Sequence, residues 1–338
     1  MIGNPIKAGL LAYGMSGKVF HAPFLETHAG FNLTAIVERS KNEALKDYPN
    51  VKIYRSSEAL LADEEIELVV VNTPNYTHYE LAKAALNAGK HVLIEKPLSV
   101  LRVEAEELFS LAFRKGLKVF AYQNRRFDSD FLSVKEVLES GRIGKIVEAH
   151  FRFDRYRDEI SVKFFKEEPM PGAGILYDLG AHIIDQAISL FGVPDEFLKS
   201  YGNNRALSQV DDYAHVHLKY KNGVNVFVTA NMLVADAPAA YSLYGTKGTY
   251  TKQRTDVQEE QLLMGMKPLD ENYGMENSGV EGKLVYYNDN GDKGEEFISI
   301  RKGDYMELFD GVYNSIRNNE EYYVQQNEIM AQLRILEK

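Results

Sequence analysis

Ala8-Gly9-Leu10-Leu11-Ala12-Tyr13-Gly14-Met15-Ser16-Gly17 is the stretch whose reading decides the fold. A short apolar run, residues 8–12, leads into the dinucleotide fingerprint G-x-G-x-x-G, here with Ala12 in the first glycine position. Gly14 lets backbone approach a pyrophosphate. Gly17 lets helix and strand pack closely, and the N-terminus of the following helix attracts negative charge. The alternative is a tight strand–helix turn with no ligand. Further β-branched runs follow at residues 33–37, 51–54, 68–71, 91–94 and 118–122, with room for helices between most of them. One helix, residues 76–88, stops at Gly89 with Lys90 beside it; a second, 100–115, stops at Gly116. The second places Leu101, Ala105, Leu108 and Ala112 on one face. Residues 1–124 are therefore expected to form an α/β domain, a doubly wound parallel sheet of the Rossmann type.

Beyond about residue 124 the pattern changes. Residues 145–156, 213–220 and 224–230 read as strands, the last two joined by the hairpin turn Lys221-Asn222-Gly223. Residues 241–244, 249–252 and 283–287 read as further strands, and 174–191, 304–317 and 326–337 as helices. Residues 256–282, rich in Gly, Asn and charge, read as a long loop. Neighbouring strands with few helices between them predict a C-terminal α+β domain, 125–338, with a largely antiparallel open sheet.

Composition narrows the function classes. The 338 residues hold 39 Lys plus Arg against 49 Asp plus Glu, a net charge of −10. That balance argues against general affinity for nucleic acid or anionic membrane, so neither is an expected partner. There is no cysteine, which excludes disulfides, thiolate zinc sites, iron–sulfur clusters and cysteine nucleophiles. Residues 1–5 lack a signal peptide's charged start and apolar run, and no apolar stretch approaches the ~20 residues of a membrane helix. The expected location is cytoplasmic.

Several residues are candidates for chemistry. Glu38 ends the second strand about 20 residues after the fingerprint, where a ribose-binding acid belongs; it also suits a helix-cap carboxylate. Arg39 and Ser40 follow it, and guanidinium plus hydroxyl suit the 2′-phosphate of NADP. Glu38 points to NAD and Arg39 to NADP, and the residues leave the choice open. Asn72-Thr73-Pro74-Asn75 and Glu95-Lys96-Pro97 leave the carboxyl ends of later strands, on the ligand edge of such a sheet. Lys96 there can donate to a substrate oxygen, or be a surface lysine in a turn. Asp178, His182 and Asp185 share one helical face. A carboxylate holding an imidazole is what a general base needs, and a polar surface cluster is the competing reading. A metal is not expected, because catalytic zinc usually takes three protein ligands with two or three histidines. Asn124-Arg125-Arg126-Phe127-Asp128-Ser129-Asp130 and Arg155-Tyr156-Arg157 suit a pocket for a hydroxyl-rich substrate or interdomain salt bridges. Arg125 and Asp130 lean to structure, while Asn124 and Tyr156 stay even. His21 suits packing or contact equally.

Together, the Gly14/Gly17 turn, Thr73-Pro74-Asn75, Glu95-Lys96-Pro97 and Asp178 with His182 resemble the Gfo/Idh/MocA family, named for glucose–fructose oxidoreductase and inositol dehydrogenase. Ser16-Gly17-Lys18-Val19-Phe20-His21-Ala22-Pro23 and the 124–130 segment resemble the branch of NADP-dependent scyllo-inositol dehydrogenases. The resemblance covers nearly the whole chain. It implies an NAD(P)-dependent oxidoreductase acting on a CH–OH group of a sugar or inositol-like polyol. Cofactor contacts would come from Gly14, Ser16, Gly17, Glu38, Arg39, Ser40, Thr73, Pro74, Asn75, Glu95 and Lys96. Lys96 and His182 would act at the reacting carbon, with Asp178 orienting the site. Substrate contacts would come from Asn124, Tyr156, Asp178 and His182. A homodimer or homotetramer through the C-terminal sheet is also implied. Two departures stand out: Ala12 replaces a glycine, and Glu38 stands where NADP-using relatives often carry a small residue. The competing classes are a catalytically inactive nucleotide- or sugar-binding sensor, and NAD-assisted glycoside hydrolysis or elimination.

Overall fold

The structure, a computed structural model, describes residues 4–161, 167–299 and 301–338; the first three of the five residues searched for a leader lie outside the described residues. The chain divides into two compact units. The first comprises Met1–Asn124, Gln258–Tyr273 and Asp304–Glu337, the second Arg125–Val257, Gly274–Gly303 and Lys338.

In the first unit six strands, β1 (Ile6–Leu10), β2 (Phe31–Val37), β3 (Lys52–Tyr54), β4 (Leu68–Val71), β5 (His91–Ile94) and β6 (Val119–Ala121), form one sheet in the order β3-β2-β1-β4-β5-β6. Every pairing is parallel. β4 is buried at all four positions, as expected where helices cover both faces and the strand reads as a continuous apolar run. The order reverses beside β1, so the crevice at the carboxyl ends of β1 and β4 is the switch point where such sheets bind ligands. The helices His78–Asn87 and Arg102–Lys115 lie within the predicted spans. Each is followed by a glycine at positive φ, Gly89 at 79° and Gly116 at 67°, where a side chain would strain the backbone. Leu101 is a correction. It precedes the helix and is exposed, while Ala105, Leu108 and Ala112 are buried.

The predicted break at 124/125 is where the chain leaves this unit, but two later segments return to it. The helix Met306–Arg317 buries Leu308, Phe309 and Val312. Phe309 stacks on Phe24 with ring centroids 5.1 Å apart, and the Tyr322 hydroxyl donates to Ala121 O at 2.9 Å. An apolar helix face goes where it finds a matching core, whatever its place in the sequence.

The second unit holds an eight-stranded sheet. Its strands are β7 (Ile146–Asp154), β8 (Glu196–Gly202), β9 (Tyr213–Lys219), β10 (Asn225–Asn231), β11 (Tyr241–Gly245), β12 (Gly248–Lys252), β13 (Gly282–Tyr287) and β14 (Lys293–Ile298). The order is β14-β13-β12-β11-β7-β10-β9-β8, antiparallel except for β7 with β10. β8 and β14 escape sequence reading because they are edge strands with few buried side chains, so neither carries an apolar alternation. The helix Ser129–Glu139 escapes it too, because its buried face includes polar residues. Asp130 accepts from the amides of Thr255 and Asp256 at 2.7 and 3.0 Å, and Ser133 pairs with the Tyr250 hydroxyl at 2.6 Å. The long loop predicted at 256–282 contains a short helix, Gln258–Leu263. Among the described residues no helix is long and apolar enough to cross a membrane.

Candidate functional site

The fingerprint turn is built around two glycines with different duties. An ideal Cβ on Gly17 would fall 2.2 Å from Ala12 O and 2.7 Å from Asn72 Nδ2, whereas one on Gly14 would meet nothing within 4 Å. Gly17 is thus required by the turn's own packing, and exposed Gly14 keeps open the face that a pyrophosphate needs. Asn72 closes the turn. Its Oδ1 accepts from Ala12 N at 3.0 Å and its Nδ2 donates to Ala12 O at 2.8 Å. This amide clamp is invisible in the fingerprint itself. It fastens the alanine that replaces the first glycine, because β4 delivers Asn72 beside the end of β1.

Glu38 does not present a free carboxylate. It is buried, with Oε1 accepting from Glu43 N at 3.1 Å and Oε2 from Ala44 N at 3.0 Å. Arg55 fastens the same segment, donating to Glu38 O at 2.9 Å and Lys41 O at 2.6 Å. Of the two sequence readings, the helix-cap role is the one the geometry fulfils, at the start of the short helix Ala44–Asp47. Arg39 and Ser40 remain exposed at the end of β2.

Glu95, at the carboxyl end of β5, gathers three donors. The Ser16 hydroxyl donates to Oε1, His21 Nε2 lies 2.9 Å from the same oxygen, and Lys96 N donates to Oε2 at 3.2 Å. Burial pushes this carboxyl up, but His21, Ser16 and the Lys96 charge outweigh it and hold its pKa down at about 2. The fingerprint turn and the Glu95-Lys96-Pro97 turn are thereby one hydrogen-bonded piece. His21, left even between packing and contact, supports Glu95; it is fully buried with its ring 4.3 Å from that of Tyr122. Lys96 itself is partly buried. Thr73 Oγ1 lies 2.6 Å from Thr77 Oγ1, which donates to Pro74 O, so Thr73-Pro74-Asn75 is held as a tight turn before the helix His78–Asn87.

Asp178 and His182 belong to the second unit. Asp178 lies in a π-helical turn, Leu176–Gly180, which runs directly into the helix Ala181–Phe191 holding His182. Such turns are often found at functional sites. His182 is buried with its ring 6.5 Å from that of Phe153. Asp185 is committed elsewhere, forming a bidentate pair with buried Arg126 at 2.8 and 2.7 Å. The trio read from the helical face is thus two candidates and one structural carboxylate. Arg125 pairs with Asp128 at 3.3 Å, and burial pushes the Asp128 carboxyl well above its usual range. Tyr156 is 62% exposed, and Asn124, in the first unit, is buried. Among the described residues no three His, Asp or Glu side chains are grouped to hold a metal.

Comparison with known proteins agrees in both halves of the chain. Residues 6–123 match the family described as "Oxidoreductase family, NAD-binding Rossmann fold", and residues 131–251 match the "GFO/IDH/MocA C-terminal domain". The scyllo-inositol 2-dehydrogenase (NADP(+)) IolW of Bacillus subtilis is 34% identical, over 99% of this chain and 92% of its own. The D-glucoside 3-dehydrogenase of Escherichia coli is 30% identical over 57% of this chain and 56% of its own. The crystal structure of an oxidoreductase from Bacillus cereus superposes with a TM-score of 0.90 at 36% identity, covering 98% of this chain and 94% of that one.

Proposed function

The chain belongs to the GFO/IDH/MocA oxidoreductase family, and from that premise we propose an NADP(H)-linked dehydrogenase for a secondary alcohol or ketone of a sugar or cyclic polyol. The observation that carries the cofactor choice is the commitment of Glu38. A buried carboxylate whose two oxygens each already accept a backbone amide is a poorer acceptor for the ribose hydroxyls of NAD. Exposed Arg39 and Ser40 then offer a guanidinium and a hydroxyl to a 2′-phosphate. Gly14, Ser16 and Gly17 would hold the pyrophosphate, and Thr73, Pro74, Asn75, Glu95 and Lys96 the nicotinamide end.

When bound, the nicotinamide supplies the hydride acceptor or donor. The chain's own residues supply the rest. His182 takes the hydroxyl proton; it is buried on the helix Ala181–Phe191. By the family resemblance, Lys96 would donate a hydrogen bond to a substrate oxygen and stabilise the negative charge that develops there. Asp178 orients the imidazole. Asn124 and Tyr156 would contribute to substrate binding. Copies of the chain would associate through the open face of the eight-stranded sheet, where Phe227 is flanked by stacked His150 and His217 at 5.0 and 4.4 Å.

The test is titration of the purified protein with NADPH and NADH, following nicotinamide fluorescence. NADPH is expected to bind at least about ten-fold more tightly, a difference of about 1.4 kcal/mol. Arg39→Ala is expected to remove that preference while leaving NADH binding unchanged. Equal binding of both cofactors by the wild type would overturn the NADP(H) reading, and binding of neither would overturn the dehydrogenase.

A further inference from the structure

His78 opens the helix His78–Asn87 and is 1% exposed. Its Nε2 lies 2.9 Å from the carbonyl oxygen of Thr73, and its Nδ1 lies 2.9 Å from that of Pro97. One carbonyl belongs to the turn after β4, the other to the Glu95-Lys96-Pro97 turn after β5. A carbonyl oxygen only accepts hydrogen bonds. Neutral imidazole carries a single N–H, so it satisfies one turn and presents a lone pair to the other. The imidazolium donates to both.

We propose that His78 is a positioning residue that braces the Thr73 turn to the Lys96 turn, and that the brace is complete only in the imidazolium form. Its catalytic consequence rests on the dehydrogenase reading above; the brace itself does not. The charged groups facing the ring are Glu95, which favours the imidazolium, and Lys96, which opposes it. Burial is the largest influence and holds the imidazole below its ordinary value of 6.5, against the pull of the two carbonyls and Glu95. The complete brace therefore forms on the acid side of 6.5. Above that transition one of the two turns loses its hydrogen bond to the ring. Lys96 sits one residue from the braced carbonyl, so the change reaches the placement of its ammonium. Misplacement by about 1 Å can cost about 10²-fold in rate, and the loss of one anchor is expected to cost about ten-fold or more.

Histidine-¹⁵N spectra of the full chain, from pH 8 down to the lowest pH at which it stays folded, test the brace without cofactor or turnover. The chain has eight histidines, and the His78 signal is assigned by its absence in His78→Gln or, should that variant fail to fold, by contacts to Thr73 and Pro97. The expected result is a His78 ring protonated on both nitrogens at the acid end. The kcat of His78→Gln is expected to fall about ten-fold or more at the acid end of that range. Its kcat–pH profile should lack the transition that the wild-type ring reports. A His78 ring that stays neutral down to the lowest pH at which the chain is folded, or a variant with wild-type kcat and profile, overturns the proposal. Failure of the dehydrogenase reading would show instead as absent NADPH binding, with the spectra unaffected.

Discussion

Replacing each fingerprint glycine by alanine separates what the turn needs for itself from what it offers a ligand. A methyl on Gly17 would lie 2.2 Å from Ala12 O, 1.2 Å short of the 3.4 Å at which ordinary contact begins (3.4 − 2.2), and 2.7 Å from Asn72 Nδ2. Both atoms belong to the reciprocal amide clamp, so relief comes only by breaking it or moving backbone. Losing two hydrogen bonds costs about 2 kcal/mol at ~1 kcal/mol each. Overpacking adds about 1–3 kcal/mol. Gly17→Ala should therefore lose about 3–5 kcal/mol, a large part of the ~5–15 kcal/mol that typically holds a domain together. Gly14→Ala meets no neighbour within 4 Å, so its stability should stay within about 0.5 kcal/mol of wild type. Its methyl would instead enter the space proposed for the pyrophosphate, and NADPH affinity should fall at least about ten-fold, or about 1.4 kcal/mol. Urea unfolding without cofactor gives the stabilities, read from midpoints at unchanged m; nicotinamide fluorescence gives the affinities. An unchanged midpoint in Gly17→Ala, or equal destabilisation by both substitutions, would refute the reasoning.

Three further outcomes are expected. The Glu95 carboxyl, held at about 2 against an ordinary 4.5, contributes stability that is fully present above pH 4.5 and lost as pH falls toward 2. At ~1.36 kcal/mol per unit this is about 3 kcal/mol. The stability gap between wild type and Glu95→Gln should accordingly close over that window, and a gap independent of pH would count against it. Asp185→Asn removes the carboxylate paired with buried Arg126 and should cost about 3–5 kcal/mol, while molecules that remain folded turn over normally. Lost turnover in a folded Asp185→Asn sample would return Asp185 to the site. His182→Ala should lower turnover by about 10²–10⁴ with NADPH affinity within about three-fold, and unchanged turnover would remove His182 from the mechanism.

Legibility followed burial and locality. The six parallel strands were readable because helices cover both sheet faces, which forces continuous apolar runs such as β4. Edge strands β8 and β14 were not, since an exposed strand imposes no apolar pattern. The helix Ser129–Glu139 looked like a polar junction because Asp130 and Ser133 are buried by satisfying distant partners. The same limit applied at the site. The glycines, Glu95-Lys96-Pro97 and the Asp178/His182 spacing are local motifs. The Asn72 clamp spans 60 residues and the Ser16–Glu95 contact 79.

By itself the sequence determined the fold class, the position of the dinucleotide turn and the family, because periodicity and short-range spacing survive in one dimension. Only the tertiary structure decided what each charged group is free to do. Glu38 reads as a ribose ligand or a helix-cap carboxylate, and two backbone amides engage it in the second way. Asp185 reads as sharing one helical face with Asp178 and His182 until Arg126 takes both its oxygens, and His78 is one histidine among eight until two carbonyls meet its ring. A side chain's chemistry depends on which donors and acceptors reach it, and chain folding sets those partners across separations that no local pattern encodes.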